Sequence, residues 1–199
     1  MELYDKLTAK YPFHHFSTST TQTVIDEDDP NAITSRVTFE HTGIEVLKID
    51  RTLFVFVRDT TSASSVGKNL VEVCDGAIAT EVPSRFIGYV EMKSRCTQNV
   101  VVKARSQLIA SYYHMLSMAQ DCGFSISNFQ QKGIIVSQPI TDEVLIKARQ
   151  RRKRDDDLNH QTSSARFLLK LIEGKAKDEK TGICFIHAVP TDVVDLRTL

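Results

Sequence analysis

Six short runs of apolar and β-branched residues occur along the chain, and each predicts a β-strand. They are separated by polar or glycine-containing segments and read "IEVLKID", "TLFVFVRD", "VEVCDGAIA", "RFIGYVEMK", "KGIIVSQPI" and "GICFIHAVP". Almost nothing separates the first two runs, which predicts a hairpin around Asp50-Arg51. The polar segments "STSTTQTVIDEDD" and "TTSASSVGKN" are predicted to be loops.

Other apolar positions recur with the period of a helix. The longest such stretch runs from about Gln98 to Gln120. A helix is also predicted from Asp29-Pro30 to Gly43, because proline suits the first helical position and Ile33 and Val37 would share a face. Shorter helices are predicted in "MELYDKLTAKY", after Thr141 and in "SSARFLLKLIEG". This order predicts an α/β (α+β) fold in which a central mixed β-sheet is flanked by helices.

Length and composition are those of an ordinary globular protein with a single domain over residues 1–199. No apolar run approaches the ~20 residues of a membrane helix, and the N-terminus lacks the features of a secretory signal. We therefore expect no membrane partner and a cytoplasmic location, or the nucleus in a eukaryote. Scattered cysteines and histidines without metal-site spacing argue against a disulfide framework and a zinc site.

The formal net charge is zero, but the charge is unevenly distributed. The segment "KARQRRKR", Lys147 to Arg154, holds six basic residues and leaves a charge of 0 − 6 = −6 on the rest. Lysine and arginine neutralise phosphates without reading base sequence, so this run could bind a nucleic-acid backbone. It could equally be the exposed face of a helix that breaks near Leu158. The nucleic-acid-binding candidates are Lys103, Arg105, Arg149, Arg151, Arg152, Lys153 and Arg154.

Three charged side chains interrupt two of the predicted apolar strands. Side chains alternate along a strand, so Asp75 falls on the face of Val73 and Ala77, while Glu91 and Lys93 share a face of the next strand. A buried carboxylate without a partner is costly. Because Mg²⁺ takes carboxylate oxygens, Asp75 and Glu91 could bind it together. Lys93 could then stabilise developing charge or position a water for attack on phosphorus.

A second interpretation takes Asp75-Gly76 as a type I′ hairpin turn. Asp75 would then be solvated, and Glu91 with Lys93 would form a surface ion pair of little energetic value.

The pattern of Asp75-Gly76 followed by Glu91-Met92-Lys93, with 15 residues between the two acids, resembles the D…E-x-K signature of the PD-(D/E)XK nuclease superfamily, whose members share a restriction-endonuclease-like fold. The predicted element order is similar to the core of that superfamily. This core would cover about residues 30–140, with 141–199 as elaboration.

This resemblance implies a metal-dependent nuclease that hydrolyses phosphodiester bonds, in DNA rather than RNA. Asp75 and Glu91, helped by the Met92 backbone carbonyl, would bind Mg²⁺ or Mn²⁺. Lys93 would assist the attacking water or the transition state. Gln107 stands on the helix after E-x-K, where several members place a glutamine, and would orient the water.

The chain departs from the superfamily pattern at three positions. Cys74 replaces the proline of the name, at a position that carries no catalytic atom. Ser111 stands four residues after Gln107, where the RecB-like branch has tyrosine. Glu40 is a candidate for the glutamate that some members use from the leading helix.

Two other classes of function fit the same pattern. One is a catalytically inactive nuclease-fold subunit that binds nucleic acid. The other is a partner-binding protein with a role in assembly, defence or counter-defence. Many relatives act as dimers, so a homodimer or larger complex is a further alternative.

Overall fold

A mixed seven-stranded β-sheet lies at the centre of the protein. The computed structural model of the chain describes residues 1–27, 32–60, 72–157, 164–190 and 194–198. The helices are α1 (Glu2–Thr8), α2 (Arg51–Thr60), α3 (Gln98–Asp121), α4 (Asp142–Asp157) and α5 (Ser164–Ile172). The strands are β1 (Phe16–Ser19), β2 (Gln22–Asp26), β3 (Arg36–Glu40), β4 (Val46–Asp50), β5 (Gly76–Thr80), β6 (Phe86–Lys93), β7 (Gln130–Ser137), β8 (Ala176–Lys177), β9 (Cys184–Ala188) and β10 (Val194–Asp195).

The central sheet has the strand order β1-β4-β5-β6-β7-β9-β8. Strands β4, β5 and β6 pair antiparallel, and β6, β7 and β9 pair parallel. A three-stranded sheet in the order β10-β3-β2 is separate from it. The antiparallel pairing of β5 with β6 brings the start of one strand beside the end of the other, where the candidate site lies.

Two hydrophobic cores occupy the two faces of the central sheet, and β6 contributes to both. Ile87 and Tyr89 pack in the core formed with the helices, whereas Val90 and Met92 pack in the core formed with the small sheet. Side chains in a strand alternate faces, so Glu91 and Lys93 lie on the helix side. The predicted α/β class, with a central mixed sheet and flanking helices, is confirmed.

The predicted helices α1, α3, α4 and α5 are also confirmed. Gly174 follows α5 with a φ of +68°, a left-handed conformation that glycine adopts without strain. In the described parts of the chain, no helix combines the length and the apolar character needed to cross a bilayer.

The predicted hairpin around Asp50-Arg51 is wrong. Strand β4 ends at Asp50 and α2 begins at Arg51. Oδ1 of Asp50 accepts hydrogen bonds from the backbone N–H and the hydroxyl of Thr52, at 3.0 and 2.8 Å, which satisfies a donor at the helix start. Leu53 and Val57, one turn apart, are buried on one side of the helix.

The predicted helix from Asp29-Pro30 to Gly43 is also wrong where the structure describes it. Residues 36–40 form strand β3, because Val37 and Phe39 alternate into the core between exposed or partly exposed neighbours. Glu40 ends this strand in an exposed position, which contradicts its assignment to a leading helix. Asp29 and Pro30 lie outside the described residues.

The segment "STSTTQTVIDEDD" is not a loop, because it contains most of β1 and all of β2. Thr23 and Ile25 are buried at alternate positions of β2. The predicted break near Leu158, and the segment "TTSASSVGKN" beyond Thr60, lie outside the described residues.

Candidate active site

Asp75 and Glu91 lie on neighbouring strands of the central sheet. Gly76, the first residue of β5, pairs with Val90 of β6. The backbone N–H of Asp75 extends this ladder by donating to the Val90 carbonyl at 2.9 Å. Asp75 precedes Gly76 and Glu91 follows Val90, so the two acids lie opposite each other in the antiparallel pair. Cross-strand neighbours at such positions project to the same face.

Both carboxylates are removed from solvent. The exposed fraction is 5% for Asp75 and 0% for Glu91. Gly76 pairs with Asp50 on one side and with Val90 on the other, so it lies within the sheet. The interpretation of Asp75-Gly76 as a solvated hairpin turn is wrong, and so is that of Glu91 as a surface residue.

The polar contacts of the two carboxylates differ. Oδ2 of Asp75 accepts a 2.6 Å hydrogen bond from the Met92 N–H, and its Oδ1 accepts one of 3.3 Å from Arg51. The Lys93 ammonium donates to Oε1 of Glu91. Oε2 of Glu91 is buried and has no hydrogen-bond partner among the residues described. Such an atom loses its hydration without compensation.

This environment disfavours the charged form of both groups. Burial raises the pKa of Glu91 to about 8, and the Asp75 charge acts in the same direction, whereas Lys93 lowers it. Burial also raises the pKa of Asp75 to about 7, against the hydrogen bond from Met92. Desolvation thus outweighs the contact with Lys93, although an ion pair by itself would favour ionised Glu91.

Two residues that the sequence did not indicate also belong to the cluster. Glu27 follows β2, and its Oε1 lies 3.6 Å from Nη1 of Arg51, the first residue of α2. The charge of Glu27 raises the pKa of both Asp75 and Glu91. The signal for Glu27 was alternation with Thr23 and Ile25, which places it on the inward side of β2.

Helix α3 holds the segment that leads into Asp75. Gln107 and Ser111 are one turn apart and buried. Nε2 of Gln107 donates to the Val73 carbonyl at 3.3 Å, and the Cys74 N–H donates to Oγ of Ser111 at 2.9 Å. Gln107 thus contacts the backbone two residues before Asp75. Its buried Oε1 has no hydrogen-bond partner in the described part of the chain.

Replacing Ser111 with alanine is expected to lower the free energy of unfolding by about 1–3 kcal/mol, because it leaves the buried Cys74 N–H without an acceptor. Ser106→Ala is the matched control: this serine lies on the same helix, is exposed and donates to the Val102 carbonyl. Its effect should stay within about 0.5 kcal/mol. Urea denaturation of both variants measures the difference, and equal losses would contradict the role given to Ser111.

The oxygen atoms of this site suit a hard divalent cation. Asp75 and Glu91 offer carboxylates, and Met92 lies between Glu91 and Lys93 with a backbone carbonyl. No group of three or more His, Cys, Asp or Glu side chains that could hold a metal occurs in the described ranges. A set of two carboxylates, completed by water and substrate oxygens, is nevertheless a common Mg²⁺ arrangement. The unpartnered Oε2 of Glu91 fits this chemistry.

The predicted basic candidates divide into two groups. Lys103 pairs with Glu72, Arg105 with Asp178 and Arg152 with Asp156, so these three make local ion pairs. The rest are exposed on α4, where Arg151 and Arg154 line a cleft but Arg149 and Lys153 do not.

Comparison with protein-family models, with curated proteins and with solved structures found no match to this chain. Its resemblance to the PD-(D/E)XK superfamily, carried by Asp75, Glu91 and Lys93, therefore stays a prediction.

Proposed function

We propose that the protein is a metal-dependent nuclease that hydrolyses phosphodiester bonds, in DNA rather than RNA. The observation that carries the proposal is that the buried Asp75 and Glu91 lie on one face of neighbouring strands and that Lys93 donates a hydrogen bond to Glu91. Strongly perturbed carboxylates beside a cation are typical of functional sites. The preference for DNA rests on the family resemblance alone.

The electrostatics of the site favour the binding of a divalent cation. The Asp75 charge raises the cost of ionising Glu91, and the Glu27 charge raises it for both carboxylates. A cation held by Asp75, Glu91 and the Met92 carbonyl would remove the repulsion and supply a partner for Oε2 of Glu91. A bound Mg²⁺ or Mn²⁺ lowers the pKa of water and offsets negative charge on phosphate oxygens.

Lys93 is a cationic group placed to act on the substrate. Its side chain is 21% exposed, so it can reach a ligand while contacting the buried Glu91. The ammonium would stabilise the charge that develops on the phosphate oxygens in the transition state. Gln107 acts as a positioning residue, because it contacts the backbone of Val73 and thereby the segment that carries Asp75.

The test is incubation of the purified chain with plasmid DNA and circular single-stranded DNA in Mg²⁺, Mn²⁺ or EDTA. Wild type should cleave in either metal and not in EDTA, and Lys93→Ala should lose at least about a hundredfold in rate. Lys132→Ala is the matched control, because Lys132 is the third residue of the neighbouring strand β7 and pairs with Gly88, away from the site. It should cleave like wild type.

Cleavage that survives EDTA or the Lys93→Ala change would refute this mechanism. If wild type binds DNA but does not cleave it in either metal, the inactive nuclease-fold subunit becomes the better description.

A further inference from the structure

A cleft of about 800 Å³ opens directly beyond the candidate site. Lys93 and Ser137 pair at the ends of the parallel strands β6 and β7. The residues that follow each strand, Ser94 and Gln138, both line the cleft. One wall is the connection from β6 into the first turn of α3, and the other is α4. The lining of the cleft therefore begins one residue beyond Lys93.

The described lining of the cleft is strongly positive. Lys147, Arg151 and Arg154 are spaced by four and three residues on α4, which places them on one helix face. Arg95 contributes a fourth cation from the opposite wall, and Glu143 is the one carboxylate among the described lining residues. Lys147 pairs with Glu143, but Arg151 and Arg154 form no ion pair with a described side chain. Two guanidinium groups are thus available for phosphates.

Amide side chains are placed between these cations. Four of them line the cleft: Gln98, Asn99, Gln138 and Gln150. An amide presents a donor beside an acceptor, which matches the edge of a nucleobase. The first backbone N–H groups of α3, at residues 98–100, lack partners within the helix and favour a negative group nearby. Oε1 of Gln98 is buried and has no described partner. The cleft therefore offers groups for both phosphates and bases.

We propose that this cleft binds unpaired nucleotides of the substrate strand next to the bond that is cleaved. The proposal rests on the proposed nuclease function for its choice of substrate. Pockets of about 300–1,000 Å³ enclose ligands of drug size, a scale that suits one or two nucleotides. Paired bases present their edges inside the grooves of a duplex, which a concave cleft does not enter. A concave site with amides reaches base edges only where the bases are unpaired.

The test measures binding without catalysis, by fluorescence anisotropy in EDTA. The probes are a labelled single-stranded DNA 20-mer and the duplex of the same sequence. The cleft variant is Arg151→Gln with Arg154→Gln. Its matched control is Arg149→Gln with Lys153→Gln, which removes the same charge from the same helix outside the cleft lining.

Wild type should bind the single strand more tightly than the duplex. The cleft variant should bind the single strand at least about tenfold more weakly, and its salt-dependence slope should fall by about 1.4, at about 0.7 for each phosphate that is no longer neutralised. The control variant should stay within about threefold of wild type, since only long-range attraction is reduced in it.

Equal losses in the two variants, tighter binding of the duplex, or no binding of the single strand by wild type would overturn the proposal. The proposal would also be overturned if free mononucleotides displaced the 20-mer at a concentration no higher than that of the 20-mer itself. This test does not depend on catalysis. If the protein never cleaves DNA but the cleft variant alone loses binding of the single strand, the nuclease proposal is refuted and the assignment of the cleft to unpaired nucleotides is retained.

Discussion

Metal-free protein with Glu91→Gln is expected to melt several degrees above wild type at pH 8. Glu91 is fully buried, and one of its oxygens has no described hydrogen-bond partner. Glutamine keeps the shape and an acceptor for Lys93 but removes the charge that burial opposes. For a chain of this size, each kcal/mol gained shifts the melting temperature by about 2–4 °C. Stability lost to a buried carboxylate is typical where a site is built for binding.

The sign of the pH dependence follows from the raised pKa values. Glu91 and Asp75 have ordinary pKa values of 4.5 and 3.8, raised in the folded state to about 8 and about 7. Their protonated forms stabilise the folded state fully below pH 4, and this contribution is lost as the pH rises toward 8. Wild type in EDTA should therefore be less stable at pH 8 than at pH 5.5, and Glu91→Gln should show a shallower decline.

Differential scanning calorimetry at pH 5.5 and pH 8, in EDTA and in Mg²⁺, measures both effects. Mg²⁺ should raise the melting temperature of wild type at pH 8 and leave Glu91→Gln unchanged, since a ligand stabilises only a protein that binds it. Glu72→Gln is the control, because Glu72 is exposed and pairs with Lys103 at the surface. If Glu91→Gln is less stable than wild type at pH 8, the contact of Glu91 with Lys93 outweighs the cost of burying its charge.

Strand periodicity was sufficient to predict the arrangement at the centre of the site. The alternation along "FIGYVEMK" assigns Glu91 and Lys93 to one face and Met92 to the other, and the structure has Met92 in the core shared with the small sheet. The two-residue period of a strand is sufficient for this assignment. The position of Asp75 in the same sheet is predictable as well, because its neighbours in the sequence are apolar and buried.

Other elements could not be predicted from local patterns. The run "TLFVFVRD" is apolar throughout, and such a run suits a buried strand or a helix equally well. The helix was chosen by tertiary packing, which buries Leu53, Phe54 and Val57. The small sheet depends on pairing Phe39 with Val194, across most of the chain. Glu27 could not be predicted either, because its inward position depends on β2 being a strand and this segment has the composition of a loop.

The basic segment of α4 shows a similar limit. The sequence predicted one block of cations, but a helix distributes consecutive residues around its axis. Lys147, Arg151 and Arg154 meet the cleft, whereas Arg152 turns toward Asp156. Which cations face a ligand depends on the packing of α4, and not on the number of charges in the segment.

Asp75→Asn is expected to reduce metal-dependent cleavage at least about a hundredfold while the protein stays folded. The asparagine carbonyl can still accept the hydrogen bond that Oδ2 of Asp75 receives from the Met92 N–H. The change therefore keeps the link between β5 and β6 but removes one of the two negative charges that would hold the cation. Cation affinity should fall with the charge, because Mg²⁺ binding in a two-carboxylate site depends on both.

Initial cleavage rates over a Mg²⁺ titration, read beside the Mg²⁺-induced shift in melting temperature, distinguish loss of binding from loss of folding. Asp26→Asn is the matched control, since Asp26 precedes Glu27 but is exposed and paired with Arg36. It should keep both the rate and the shift. Asp75→Asn should lose both, and higher Mg²⁺ should restore at most part of the rate. A variant that cleaves at the wild-type rate would show that Asp75 holds the two strands together and does not hold the cation.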